Sequence, residues 1–241
     1  MKIALVADIH GNIVALDRVL VILDEERPDQ VICLGDVAAK GPAPREVIER
    51  LMTRDWLFIM GNTDEWMIRP IAETPSNERE RKLIESALWG YEQLSEEQRD
   101  FVAAFRPNAA IETPAGPLLC YHGSPESNVT GILPESPQVD VDALLNAWPA
   151  AIYAGAHTHV RMLRPHYGAI AINPGSVGMA TGVRPGGEHL LTRAEFAMLE
   201  LTEADTGIDF REVALDPAAL VASVRASTTP DAEWWIEGWS R

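Results

Sequence analysis

Residues 2–12, KIALVADIHGN, decide how the chain is read. Lys2 to Ala7 is short, apolar and rich in β-formers, which predicts a buried strand ending near Asp8. At Asn12 the period changes. Ile13, Leu16, Leu20 and Leu23 recur at helical spacing, with Asp17, Arg18, Asp24 and Glu25 on the opposite face, so Asn12 is the expected N-cap. Arg27-Pro28-Asp29 ends that helix, and Val31 to Leu34 reads as a second strand running into Gly35-Asp36. Pro44 opens a helix carrying Val47, Ile48 and Leu51 on one side. Trp56 to Met60 then predicts a third strand, followed by Gly61-Asn62. Strand, helix, strand, helix, strand is the start of a sheet of βαβ units.

Further along, residues 63 to 105 read as helical with no strand signal, a cap-like segment within a single domain spanning 1–241. Residues 77–82, NERERK, suit a solvated helix face, and Ser95 with Gln98 has capping-box spacing. After Pro107 the character is β again: Ala109 to Glu112, a turn at 114–116, then Leu118 to Tyr121. A helix is expected over Val141 to Trp148. Strands are expected over Ala151 to Ala154, Ala169 to Ile172, Glu195 to Leu201 and Ile208 to Val213, in part antiparallel.

With 241 residues and 46% hydrophobic content, the chain has ample material for a packed core. The formal net charge of −16 disfavours long nucleic acids and anionic lipid as partners. No apolar run approaches the roughly 18 residues of a membrane span, and the apolar stretch Ile3 to Ala7 stops too soon for an export signal. Two cysteines make no disulfide framework, which suits a reducing cytoplasm; Cys33 and Cys120, both within expected strands, read as buried structural thiols.

The placement of polar residues carries the chemistry. Asp8 and His10 follow the first strand, Asp36 the second, Asn62 the third, His122 a fourth, and His157 and His159 a fifth. Ligands of open α/β sheets bind beyond the carboxyl ends of the strands, so one edge collects all seven side chains. Two carboxylates, a carboxamide and four imidazoles exceed the needs of one tetrahedral ion. They suit two divalent ions sharing a carboxylate, with Mn²⁺ placed first and Fe, Zn²⁺ or Ni²⁺ as alternatives.

These blocks, in this order, resemble the calcineurin-like metallophosphoesterases, and within them the small bacterial phosphodiesterase branch. The resemblance rests on Asp8-Ile9-His10-Gly11-Asn12, Gly35-Asp36, Gly61-Asn62, His122-Gly123, His157-Thr158-His159 and the Asn-Pro-Gly-Ser-Val-Gly run at 173–178. It implies a four-layer α-β-β-α sandwich, two mixed sheets flanked by helices. One metal would be held by Asp8, His10, Asp36 and His159; the second by Asp36, Asn62, His122 and His157. The implied reaction is hydrolysis of small phosphodiesters, cyclic or linear nucleotides, by a metal-bridging hydroxide. Asp36, Asn62 and Asp64 are the expected catalytic residues, and Asn12, Lys40 and Thr63 the expected substrate contacts. Three positions depart from the family pattern: Thr63 replaces a His that assists the leaving group, Ala156 replaces a Gly, and Lys40 stands where some members have Arg. A threonine hydroxyl cannot protonate a departing alkoxide near neutral pH.

Other residues receive plainer readings. His166 and His189 are expected at the surface or in turns, and Asn173 and Ser176 shape a turn. Trp66 and Trp89 are read as core, with stacking on a nucleobase as the alternative. Trp234, Trp235 and Trp239 are expected to pack onto their own domain, with a homo-oligomer contact as the alternative. Alternatives to the diesterase reading are a phosphomonoesterase or protein phosphatase of the same superfamily, or a non-catalytic scaffold resembling the retromer subunit.

Overall fold

Alternation along the first strand builds the molecule. In β1 (Lys2–Val6), Ile3 and Leu5 face one hydrophobic cluster while Ala4 and Val6 face another, all of them fully buried. A strand buried on both faces belongs inside a layered fold. The computed structural model describes residues 1–71, 74–184 and 187–240.

β1 pairs in parallel with β2 (Gln30–Cys33), which pairs in parallel with β3 (Leu57–Phe58). Its other side meets β11 (Arg193–Leu201), antiparallel, and β12 (Thr206–Ala214) completes a five-stranded mixed sheet. The second five-stranded sheet is also mixed, in the order β4 (Asn108–Thr113), β5 (Gly116–Tyr121), β6 (Ile152–Ala154), β8 (Ala169–Asn173) and β7 (Met162–His166). Here β5, β6 and β8 run parallel. β9 (Thr181–Arg184) and β10 (Gly187–Leu190) form a separate hairpin.

Between the sheets, Ile3, Leu5, Ile32 and Leu34 pack on Leu118, Cys120, Ile152 and Ile172. The outer face of the first sheet is covered by α1 (Ile13–Glu26), α2 (Pro44–Met52), α7 (Pro217–Ala226) and α8 (Ala232–Ser240), through Leu16, Ile48, Leu220 and Trp235 among others. The outer face of the second receives α6 (Gln138–Leu145), whose Val141 and Leu145 meet Leu119, Tyr121 and Tyr153. The result is the expected four-layer sandwich. Each fully buried aliphatic side chain in it is worth about 1.5–3 kcal/mol.

Local signals act where expected. Asn12 caps α1, its side chain accepting the Ala15 N–H at 3.0 Å, and Arg27 ends the helix with φ of +46°. Pro44 stands in the first turn of α2. Within 63–105 lie α3 (Asn62–Ile68), α4 (Glu78–Gln93) and α5 (Glu96–Ala103), the last opened by the Ser95–Gln98 capping box; residues 72 and 73 lie outside the described residues.

The structure also differs from the sequence reading. β3 is two residues long rather than five, because Met60 N–H donates to the Arg106 carbonyl at 2.7 Å and Arg106 N–H to that of Phe58 at 3.0 Å. Stacking of Phe58 on Phe105, centroids 4.9 Å apart, fixes that crossing. β7, β9, β10, α7 and α8 have no counterpart in the sequence reading. His166 is not at the surface: it lies in β7, 4% exposed, edge-on to Tyr153. Trp235 and Trp239 are buried against their own domain, and Cys33 and Cys120 are buried free thiols. No helix among the described residues is long and apolar enough to cross a membrane.

Candidate metal centre

The parallel strands of both sheets end at the same edge, and their exits carry the polar side chains. Asp8 and His10 leave β1, Asp36 leaves β2, Asn62 follows β3, His122 follows β5, and His157 and His159 follow β6. Five of these seven residues, Asp8, His10, Asp36, His157 and His159, have φ between +48° and +69°. Such left-handed backbone is unfavourable for residues with a Cβ and concentrates where geometry serves function.

Two donor groups result. Asp8, His10 and His159 form one, Asp36, His122 and His157 the other. In the first, His159 Nε2 is 3.5 Å from Asp8 Oδ1 and 3.1 Å from His10 Nε2. In the second, Asn62 Oδ1 lies 3.0 Å from His157 Nδ1 and 3.3 Å from His122 Nε2, so the carboxamide joins that group. Donors about 2.1 Å from an ion stand about 3.0 Å apart at octahedral and about 3.4 Å apart at tetrahedral angles, so both sets have the spacing of a coordination shell. Both oxygens of Asp8 are buried without a hydrogen-bond partner among the described residues, as suits a carboxylate that binds a cation. The residues fit divalent ions.

Asp36 stands between the groups. Its Oδ1 accepts the Thr63 N–H at 2.9 Å, which aims Oδ2 to within 3.6 Å of His10 Nε2 and 3.5 Å of His122 Nε2. Gly61 makes this possible: a Cβ there would lie 2.2 Å from Asp36 Oδ1.

Backbone carbonyls orient the imidazoles. His10 Nδ1 donates to Ala39 O at 3.1 Å, His122 Nδ1 to Leu34 O at 2.7 Å and His159 Nδ1 to Met179 O at 2.9 Å. Because a carbonyl only accepts, Nδ1 is a donor in each ring and Nε2 is the nitrogen turned toward the donor groups, where a metal would take the place of any proton. Burial pushes His10 down to about 3, so it is neutral at physiological pH. Burial opposes a charged His122 as well, but the Asp36 carboxylate outweighs it and raises that histidine to about 9. Asp36 is held well below the usual carboxylate range against its burial, by His122 and His10.

The other expected site residues fall differently. Asp64 is wholly buried and does not face the opening; its carboxylate accepts the N–H groups of Asp36, Val37 and Gly61 at 2.8, 2.8 and 2.9 Å. Burial and the neighbouring Asp36 raise its pKa to about 7. Thr63 is likewise wholly buried, its hydroxyl unpartnered among the described residues. Asn12 is buried, its Oδ1 capping α1 and its Nδ2 donating to Gly178 O at 2.9 Å. Asn173 and Ser176 shape the 173–178 turn, Ser176 tying it to the Asp8 carbonyl at 2.8 Å. Lys40 stays near the donors: its Nζ sits 5.2 Å over the Trp66 ring, and its charge interacts with Asp36 and Asp8.

Beside His157 and His159 opens a cavity of about 470 Å³, walled by Lys40, Arg79 of α4, His189 of β10, and Trp234 and Trp235 of α8. Sequence reading missed Arg79, which lay inside a charge run, and placed His189 at the surface or in a turn. The crowd of tryptophans at 234–239 was the one signal of this wall. Trp66 lies under Lys40, and Trp89 donates its Nε1–H to Thr228 at 3.1 Å.

A fold of two stacked mixed sheets with seven O/N donors at one edge defines a class of metal-dependent phosphoric ester hydrolases. The model of the calcineurin-like phosphoesterase superfamily domain matches residues 1–201, and the chain belongs to that superfamily. Among curated proteins it is similar to the phosphodiesterase YfcE of Escherichia coli K12, 25% identical over 230 residues, covering 90% of this chain and 100% of that one. It is 36% identical over 62 residues to the uncharacterized protein MJ0912 of Methanocaldococcus jannaschii, a match spanning 26% of this chain and 26% of that protein. Its fold is that of the metallophosphoesterase from Sphaerobacter thermophilus, with a TM-score of 0.76 at 24% identity, covering 99% of this chain and 97% of that one. The hypothetical protein PH1004 from Pyrococcus horikoshii OT3 superposes with a TM-score of 0.80 at 22% identity, over 98% and 96% of the two chains.

Proposed function

We propose that the protein is a dinuclear metal-dependent phosphodiesterase for small phosphodiesters of cyclic or linear nucleotide type. The observation that carries this reading is the place of Asp36 Oδ2, nearly equidistant from His10 Nε2 and His122 Nε2 and therefore available to both donor groups. Asp8, His10, Asp36 and His159 would hold one ion; Asp36, Asn62, His122 and His157 the other. Mn²⁺ is our first assignment, with Fe, Zn²⁺ or Ni²⁺ as alternatives. When bound, two such ions supply Lewis-acid activation of water and neutralise charge on the phosphoryl group.

The chain's own residues do the rest. The imidazoles and carboxylates fix the geometry of the donor cluster through their backbone hydrogen bonds. Lys40, close to Asp8 and Asp36 and at the rim of the cavity, meets a non-bridging phosphate oxygen as a point charge. Thr63 offers no proton to a leaving group, so either another group supplies that proton or the departing group needs little protonation. Asp64 acts as a positioning residue through the Asp36 loop. The reading takes residues 1–241 as one domain, places the protein in the cytoplasm, and sets long nucleic acids aside on the charge of −16.

The test compares bis(p-nitrophenyl) phosphate with p-nitrophenyl phosphate on protein reconstituted with Mn²⁺, beside Asn62→Ala. We expect preference for the diester, two ions per chain and loss of activity in the variant. A large preference for the monoester overturns the diesterase assignment. Binding of a single ion overturns the dinuclear one.

A further inference from the structure

The cavity has His157 and His159 of the donor groups on one side, and its remaining walls come chiefly from α4, β10 and α8, which contribute nothing to those groups. Its outer wall is α8, which lies beyond the residues matched by the family. α8 is clasped on both sides. Asp231, just before it, pairs with Arg81 at 3.6 Å and Lys82 at 3.8 Å on α4, and Lys82 sits over the Trp234 ring at 5.7 Å. Toward the hairpin, Gly238 allows close approach: a Cβ there would lie 3.1 Å from Leu190 Cδ1. Across the hairpin His189 faces Gly182, where a Cβ would lie 3.0 Å from the imidazole Cε1, so the missing side chain leaves the ring its place.

The lining has two characters. Leu83, Met179, Leu190 and the indoles give apolar surface, while Arg79 and Lys40 give positive charge beside the carboxylate of Glu237. Two lining side chains also carry unmet hydrogen-bonding capacity: His189 Nδ1 and Trp235 Nε1 are buried and without partners among the described residues, and Trp235 is 2% exposed. An aliphatic group would leave those nitrogens unanswered, and a small anion would leave the apolar wall uncovered. A flat ring with acceptor atoms on its edge answers both, and about 470 Å³ lies within the usual range for small-molecule sites.

We propose that this cavity is the specificity subsite of the reaction, and that it takes a planar heteroaromatic group of nucleobase type carried by the phosphodiester. The inference rests on the phosphodiesterase reading and adds the class of group recognised. His189, Trp235 and Arg79 are its specificity determinants, the first two through hydrogen bonds and ring contact, the third over the open face.

The test uses two p-nitrophenyl diesters with the same leaving group, methyl p-nitrophenyl phosphate and thymidine 5′-(p-nitrophenyl phosphate), on the Mn²⁺-loaded full chain. We expect kcat/KM at least ten-fold higher for the thymidine ester, and a ratio falling toward one in His189→Ala and in Arg79→Ala. In parallel, thymidine 5′-monophosphate is titrated into metal-free protein while tryptophan fluorescence is followed. Saturable quenching is expected, weakened at least ten-fold in Arg79→Ala/His189→Ala. Hydrolysis of both esters at equal kcat/KM with no quenching overturns the subsite and leaves the phosphodiesterase reading standing. Quenching without hydrolysis of either ester supports the subsite and overturns the phosphodiesterase reading.

Discussion

The Asp64 carboxylate receives the backbone N–H of Asp36 at 2.8 Å, so one buried acid sets the position of the other. With Val37 and Gly61 it gathers three N–H donors, binding the loop after β2 to the start of α3. Replacing Asp64 by Asn turns an amide NH₂ toward donors that need an acceptor. Asp64→Asn is expected to lower Mn²⁺ affinity about 10–100-fold, although Asp64 touches no donor atom of either group. Calorimetric titration measures this; wild-type affinity in the folded variant would count against a positioning role.

Gly61 faces the same loop from the other side. A methyl group there would lie 2.2 Å from Asp36 Oδ1 and 2.4 Å from Asp36 N, both inside van der Waals contact. The φ of Gly61 is −85°, which any residue adopts, so the effect of Gly61→Ala is purely steric. We expect at least a hundred-fold loss of kcat/KM on bis(p-nitrophenyl) phosphate together with loss of bound metal. An active, metal-replete variant would contradict the close approach.

Asn12 separates a structural role from a substrate contact. Asn12→Ala removes the cap on α1 and the bond to Gly178, and is expected to cost about 1–2 kcal/mol in denaturant unfolding. KM should stay within two-fold of wild type. A large rise in KM with unchanged stability would restore the substrate-contact reading.

Metal removal should register in stability as well as activity. Each ion, with Mn²⁺ at about a hundred times its dissociation constant, adds about 2.7 kcal/mol by mass action, which for a chain of this size raises Tm by about 5–10 °C per ion bound. Differential scanning calorimetry with and without a chelator reads this directly. Identical melting curves would deny that the two donor groups bind metal in the folded state.

The sequence made some of this plain and hid the rest for physical reasons. Ile3 to Val6 announced a strand because alternate residues had two apolar faces to fill, and Asn12 announced a helix because capping is local. The seven donors were legible because each follows a strand end, and parallel strands bring their ends to one edge. What stayed hidden depends on distant packing. β3 stops after two residues because the Phe58 carbonyl and the Met60 N–H pair with Arg106, nearly fifty positions away. Asp64 and Asn12 stand out in the sequence by neighbourhood, but the backbone partners that each holds are visible only in the fold. His189 and Arg79 reach the cavity only through the hairpin and α4, and no local pattern records that convergence.

The left-handed backbone at Asp8, His10, Asp36, His157 and His159 sets endurance against catalysis. Each such residue sits about 1–2 kcal/mol above its relaxed conformation. A descendant released from catalysis would therefore gain robustness by trading these side chains for glycine or asparagine, the residues that rest easily there. Loss of metal chemistry in this architecture is thermodynamically downhill for the apo chain.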